Sequence, residues 1–392
     1  MKIKHLKLPP APLKLGSERG LDFYIKGEGP FKAQYAASTC TRCGACLQRC
    51  PSFKALKSEL YSPRGRSQLL KCIFERKLNL KQDKTDILNT SASCLMCGAC
   101  TDFCPAKTPV SDLMAELNFS LLGKRKTKAS ALRKIFSRAY ARHKILRAAK
   151  RQPALEKEII FLPSLLGFRQ IKDSLKILNE AGFSALTDLN AAELEHLYFC
   201  ADIMGVRKVL RALLKLSEEN PADMAVDSAE IFSILKKAAL FGKEFTPLSN
   251  RVKFITQYIK APKSFKVSLS GKKIILHHNS FSPELKALGI SLAELFVCPQ
   301  NIFLLECIQS KQLPSAGASY WTEVKGNKII TAQIADTLES IEADYLVVSS
   351  YADKNLFKKA ARNFKQKRLK ILHVSQIPEE FYGKNSESNP HR

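Results

Sequence analysis

Cys40-Thr41-Arg42-Cys43-Gly44-Ala45-Cys46-Leu47-Gln48-Arg49-Cys50-Pro51 and Cys94-Leu95-Met96-Cys97-Gly98-Ala99-Cys100-Thr101-Asp102-Phe103-Cys104-Pro105 share one spacing, Cys-x2-Cys-x2-Cys-x3-Cys-Pro, and both place Gly-Ala between the second and third cysteines. Three cysteines at this spacing let one tight loop aim three thiolates at a single inorganic core. The fourth lies about a helical turn further on and points away, which is how paired [4Fe–4S] sites exchange ligands. Small residues between the cysteines let backbone N–H groups approach the cluster and offset the negative charge of its thiolate-ligated form. The proline has no N–H and continues neither a strand ladder nor a helix interior.

The ligand sets expected from this spacing are Cys40, Cys43, Cys46 and Cys104 for one cluster, and Cys94, Cys97, Cys100 and Cys50 for the other. The competing readings are paired zinc sites or disulfides. Zinc hooks come as Cys-x2-Cys pairs without a third and fourth cysteine at this spacing.

The chain has 392 residues, enough for two or three domains. Its net charge of +27 is unevenly spread. Residues 1–152 hold 31 Lys and Arg against 10 Asp and Glu, while the rest holds 32 against 26. The basic excess belongs to the cysteine-bearing part and its exit, where it would attract an acidic protein face or an anionic lipid surface. Thiolate ligation needs a reducing compartment, so a cytoplasmic location is expected, with peripheral contact at the inner face of the cytoplasmic membrane as an option. No stretch has the apolar length of a spanning helix, and residues 1–20 lack a secretory h-region.

Residues 1–35, basic and rich in Pro and Gly, read as an extended arm. The segment 36–123 reads as helical between its cysteine loops, with no convincing strand. Tyr61-Ser62-Pro63-Arg64-Gly65-Arg66 reads as a turn opening a helix to about Leu80, with Leu69, Leu70, Ile73 and Phe74 as its apolar stripe. Cys72 is expected in the core of that helix rather than as a ligand. Arg64 and Arg66 either face solvent as a pair or brace the second cluster or a partner surface; their type does not decide it. Thr108-Pro109 reads as an N-cap with proline at N1 of a helix to about Leu122.

Residues 124–153 read as a basic amphipathic linker helix. Lys124 to Arg151 contains twelve Lys or Arg and no acidic residue. Leu132, Ile135, Phe136, Ala139 and Leu146 fall near one face. Lys124, Arg125, Lys126, Lys128, Arg133, Lys134, Arg138, Arg142, Lys144 and Arg147 are the candidate partner or membrane surface. The bland alternative is a linker helix packed on the next domain. From 154 the pattern changes to short apolar runs alternating with helices, read as two α/β repeats at 154–250 and 265–382. The strands are placed at 159–162, 224–226, 273–276, 345–348 and 369–372, with helices at 229–241 and 354–364. The tail 383–392 is polar. The fold class is thus α + α/β, a helical two-cluster ferredoxin-like domain followed by two α/β repeats.

With both cysteine runs, the Ser62-Pro63-Arg64-Gly65-Arg66 segment and this layout, the chain resembles the iron–sulfur subunit of glycolate oxidase and the cluster subunits of heterodisulfide reductase. The resemblance implies two [4Fe–4S] clusters and an electron-transfer role. It also implies a separate partner subunit carrying FAD, a glycolate- or D-lactate-type dehydrogenase, and delivery of electrons towards quinone or another carrier. In that family each C-terminal repeat carries a Cys-Cys-Gly signature. Here the first keeps only Cys200, and Leu313-Pro314-Ser315 stands where the second would be. His277-His278-Asn279-Ser280-Phe281 carries Phe281 at a family cysteine position, and Cys298 and Cys307 restore no ligand set. The repeats are therefore read as degenerate cysteine-rich domains without a metal, the minority alternative being a remodelled zinc site at Cys200 or the His277–His278 pair. No nucleophile–base set, P-loop or nucleotide fingerprint stands out. The alternatives to electron transfer are a protein with structural clusters whose basic surface binds nucleic acid or membrane, and a free-standing thiol or disulfide reductase. The thin aromatic interleaving, Phe136 and Tyr140, disfavours nucleic acid.

Reconstituted anaerobically, the chain is expected to bind about eight iron atoms, two cubanes of four. Colourless protein, or zinc in place of iron with no paramagnetic signal after dithionite, would overturn the reading.

Overall fold

The computed structural model describes residues 37–75, 77–78, 82–122, 138–150, 153, 155–200, 202–259, 273–277, 303–306, 326–340, 342–363 and 369–382. The expected arm 1–35, Lys124 to Ser137, His278 to Phe281, Cys298, Cys307, 313–320 and the tail 383–392 lie outside the described residues.

Up to Ala149 the described chain is helical. Cys50 is the N-cap of a helix over Pro51–Leu56, and its sulfur accepts from Phe53 N at 3.4 Å. Pro51 opens that helix at the position where a missing N–H costs nothing. Ser62 caps the next helix, Pro63–Phe74, accepting from Gly65 N at 2.9 Å, and again a proline stands at N1. The segment expected as a turn is therefore already helix. The helix also stops at Phe74, short of Leu80, where Glu75 N turns back to Lys71 O. Its stripe is half right: Leu70 and Ile73 are buried, while Leu69 and Phe74 are partly covered. Cys72, expected in the core, is half-buried and takes a hydrogen bond from Gln68 Nε2 at 3.4 Å. Helices follow at Lys84–Ala92, Ala99–Asp102 and Val110–Leu122.

The helix Arg138–Ala149 is the described part of the basic segment. It packs on the helix Ile171–Glu180 and the strand Phe183–Thr187. Ile145 and Ala148 are its buried residues, whereas Leu146, expected on the apolar stripe, is 43% exposed. Where it is described, the buried face therefore holds Ile145 and Ala148 rather than the expected Leu146. Arg142, Lys144 and Arg147 are exposed, and Arg142 Nη1 lies 3.4 Å from Glu193 Oε1.

Two four-stranded parallel sheets follow. In the first, β1 (Lys157–Leu162), β2 (Phe183–Thr187), β3 (Met224–Val226) and β4 (Val252–Phe254) lie in the order β2-β1-β3-β4. In the second, β5 (Lys273–His277), β6 (Phe303–Glu306), β7 (Tyr345–Val348) and β8 (Lys370–His373) lie in the order β6-β5-β7-β8. Strand β4 falls beyond 250, the expected end of the first unit, and the helix expected at 354–364 runs Tyr351–Ala360. Ile159, Ile160, Phe161 and Leu162 are all fully buried, as a parallel strand covered on both faces requires. Among the described residues no helix is long and apolar enough to cross a membrane.

The carboxyl ends of the two sheets meet. Ala229 N, just past β3, donates to Ser349 O, just past β7, at 3.1 Å. Tyr351 OH donates to Asp227 Oδ2 at 3.1 Å, and Ser350 Oγ to Glu230 Oε1 at 2.5 Å. Ser228 Oγ donates to Glu195 Oε1 and to Glu230 Oε2. Gly167 passes so close that an added Cβ would stand 2.5 Å from the Tyr351 ring. The cysteine-bearing helices join this body through Lys237 Nζ and Asp112 Oδ1, 2.8 Å apart and mostly buried.

Burial pushes Asp227 up to about 6 against hydrogen bonds that pull it down, and raises Glu195 and Glu230. A carboxyl raised in the folded state binds its proton more tightly there than in the unfolded chain, so folding stability falls as pH rises through this window. Between about pH 4 and pH 6 the denaturant midpoint should therefore fall, with the ionisation of Asp227 costing on the order of 2–3 kcal/mol by the top of that range. Asp227→Asn should flatten that dependence, and a midpoint that rises with pH would refute the sign.

Candidate functional site

The two cysteine runs are built alike. In each, the residue before the second cysteine and the residue after it are left-handed: Arg42 (φ 57°) and Gly44 (φ 81°) in the first, Met96 (φ 54°) and Gly98 (φ 75°) in the second. Two left-handed residues flanking one cysteine turn successive N–H groups towards the inside of the loop. The Ala45 amide, and after it the Thr41 side chain, hold the exposed Cys43 thiol below its usual range. The Ala99 amide does the same for Cys97, but there burial dominates and pushes the thiol up to about 12. Further amides reach sulfur at 3.4 Å, from Met96 N to Cys94 Sγ and from Thr108 N to Cys104 Sγ.

The loops are braced against one another in a reciprocal pattern. Ser52, just after the first run, donates to Ser93 O, just before the second, at 2.7 Å. Thr39, just before the first run, shares a 2.9 Å hydrogen bond with Thr108, just after the second. The Arg49 guanidinium stands 3.8 Å over the Phe103 ring, each residue immediately preceding the last cysteine of its run. The thiols mix accordingly. Cys46 is pushed up to about 11 by burial and then by the neighbouring charges of Cys40, Cys104 and Cys50. Cys100 is raised by burial and then by Cys94, Cys97 and Cys50.

The surroundings differ in depth. Cys50, Cys94 and Cys97 are buried, Cys40, Cys46, Cys100 and Cys104 are intermediate, and Cys43 is exposed. Buried thiols that resist ionisation suit a cationic core, which takes them as thiolates outright. Among the described residues no three His, Cys, Asp or Glu side chains gather closely enough around one point for a single metal ion.

Arg64 and Arg66 part company. Arg64 is half-exposed, forked onto Glu59 at 2.6 and 2.9 Å, and donates to Arg42 O at 3.2 Å. Arg66 is buried among Cys50, Thr90 and Ser93. A signal for this was present in the sequence: Arg66 falls in helical phase with Leu70 and Ile73 on the buried face. The braces Ser52–Ser93, Thr39–Thr108 and Arg49–Phe103 went unread. Beyond the two runs, Cys200 is fully buried, and His277 is buried with Nε2 3.3 Å from Asp353 Oδ2 and its ring edge-on to Phe357.

Residues 36–108 match the 4Fe-4S dicluster domain family. Over 78 residues the chain is 33% identical to the probable glycolate oxidase iron-sulfur subunit of Bacillus subtilis (strain 168), which is 20% of this chain and 17% of that protein. Over 77 residues it is 35% identical to the glycolate oxidase iron-sulfur subunit of Escherichia coli (strain K12), 19% of this chain and 17% of that one. The chain therefore spans about a sixth of the length of the curated relatives it matches. No solved structure gives a significant match. The resemblance to glycolate oxidase iron–sulfur subunits holds over this cysteine-bearing part.

The loop geometry makes a specific demand on Gly44. Its φ is +81°, a region L side chains rarely adopt, while an added Cβ would meet Arg64 Nη1 only at an ordinary contact distance of 3.4 Å. Gly44→Ala should cost about 1–2 kcal/mol of loop conformation and reduce the iron retained per chain on gel filtration. Full retention would show that the loop does not need its left-handed turn.

Proposed function

We propose that the chain is an iron–sulfur electron-transfer subunit. Cys40, Cys43, Cys46 and Cys104 would hold one [4Fe–4S] cluster, and Cys94, Cys97, Cys100 and Cys50 a second. The observation that carries this reading is the mixing of the two loops, with Cys104 among the neighbours of Cys46 and Cys50 among those of Cys97 and Cys100.

When bound, a [4Fe–4S] cluster takes up and releases one electron at a time, so two neighbouring clusters divide a two-electron load. The chain's own residues hold and shield them. Backbone amides at Ala45, Phe53, Met96, Ala99 and Thr108 donate to sulfur, and the Arg49–Phe103 stack closes the joint between the loops. Exposed Cys43 makes the first run the side open to a partner, while the second run sits deep, beside the first sheet's body.

The electron donor in this reading is an FAD-dependent 2-hydroxy-acid dehydrogenase of the glycolate or D-lactate type on a separate subunit, with quinone or another carrier downstream. The two sheets, with the same strand order, are read as two copies of one α/β unit that has lost its metal-binding cysteines. The exposed Arg142, Lys144 and Arg147 extend the basic surface that would meet an acidic subunit or the inner face of the cytoplasmic membrane. The concentration of positive charge before residue 152 also favours a second reading, structural clusters beneath a surface that binds nucleic acid or lipid.

Anaerobic protein mixed with such a dehydrogenase and its hydroxy acid should be reduced and reoxidised reversibly. Clusters that answer only to dithionite, together with nucleic-acid affinity that collapses with salt, would favour the second reading. Cys104→Ser should strip iron from the cluster held mainly by the first run and spare the other; selective loss of the second would refute the exchanged ligands.

A further inference from the structure

The guanidinium of Arg66 is 1% exposed, yet its hydrogen-bond partners are Ser93 Oγ at 2.8 Å, Thr90 O at 3.4 Å and Cys50 Sγ at 3.7 Å. None of these is a carboxylate. A buried cation without an anionic partner is strongly destabilising, so the compensating charge must come from the sulfur side. The neighbouring charges that act on Arg66 are those of Cys94, Cys50 and Cys100. Arg64, two residues earlier, differs in each respect. It is half-exposed, leans towards the first run through Arg42 O, and has its charge offset by the forked Glu59.

We propose that Arg66 is the counter-ion of the cluster held by Cys50, Cys94, Cys97 and Cys100, and that its guanidinium holds that cluster's reduction potential above the value its burial alone would give. This rests on the ligand assignment proposed above. Reduction adds one negative charge to a centre already negative. Burial opposes that addition, because water cannot solvate the new charge, and a fixed cation in the same low-dielectric surroundings favours it. The first-run site has, in place of a buried cation, the exposed Cys43 and an Arg64 whose charge is shared with Glu59. Arg66 acts through its charge and its hydrogen bond to Cys50 Sγ, as a tuning residue, and exchanges no electron itself.

The test is an anaerobic redox titration of the full reconstituted chain followed by paramagnetic resonance, with signals assigned through Cys43→Ser and Cys97→Ser. Arg66→Gln is expected to shift the reduction equilibrium of the Cys97-dependent signal at least tenfold towards the oxidised form, about 59 mV for one electron, and to leave the Cys43-dependent signal in place. Arg66→Lys should retain most of the wild-type potential. An unmoved Cys97-dependent signal, or equal shifts in both signals, would overturn the proposal. Should Arg66→Gln fail to retain iron at the second site, Arg66→Lys decides. Retention there with a near wild-type potential supports a requirement for charge, and loss equal to that of the glutamine variant overturns it. A wild-type chain holding fewer than two clusters would instead remove the ligand assignment itself, and iron per chain reports that separately.

Discussion

The structure depends on two cysteine loops that must touch. In the proposed ligand sets each loop completes the other, because its last cysteine, the one just before the proline, goes to the partner loop's cluster. The touching is arranged by small reciprocal contacts rather than by a large apolar face. Ser52 bonds across to Ser93, Thr39 to Thr108, and Arg49 lies over Phe103. A hydrogen bond of this kind contributes only about 0.5–1.5 kcal/mol. Such contacts fix the register of two loops well, yet leave most of the holding energy to whatever the thiolates bind. Cys50 shows the coupling most directly, since one sulfur caps a helix, lies against a buried guanidinium and sits among the second run's thiols.

The second half of the chain solves a different problem. A parallel sheet with its strands in the order seen here leaves a crevice at the carboxyl end, where the connections part to opposite sides. In each sheet that crevice is filled by the other sheet's side chains. Asp227, Glu195 and Glu230 are buried there at the cost of resisting ionisation, and Ser164, Ser174, Ser228, Ser350 and Tyr351 satisfy their oxygens. His373 stacks on Tyr351 at 3.8 Å between ring centres and closes the same joint. The contact from Lys237 to Asp112 ties this body to the helix that leaves the second cysteine run.

Much of this was legible in the residues, for identifiable reasons. The cysteine spacing is a geometric constraint on thiolates, so it can be read without knowing the rest of the fold. Buried parallel strands announce themselves as unbroken apolar runs, which is why β1, β3, β5, β7 and β8 stand out. Three of the four edge strands, β2, β4 and β6, did not. Phe183–Thr187 is only partly covered and mixes Ser and Thr with its apolar residues, and Val252–Phe254 is three residues with a lysine in the middle. The basic helix misled because its composition has apolar residues on more than one face. Only the neighbouring sheet selects Ile145 over Leu146 as the buried one. By its residue type alone, Arg66 is open between solvent and a place bracing the second cluster or a partner surface. Its charge suggested solvent, and its phase with Leu70 and Ile73 suggested core, and the buried thiol side resolves the conflict in favour of phase.

The joint between the two sheets carries a consequence for inheritance. Each half stoppers the other's crevice with polar groups matched one to one, so neither is an interchangeable module. A recombination event that replaced one half with a foreign α/β unit would leave acidic side chains facing a mismatched surface and an opened cleft. Selection should therefore transmit the pair as a single block, with changes at Asp227, Glu230, Ser350 and Tyr351 arising in concert rather than one at a time.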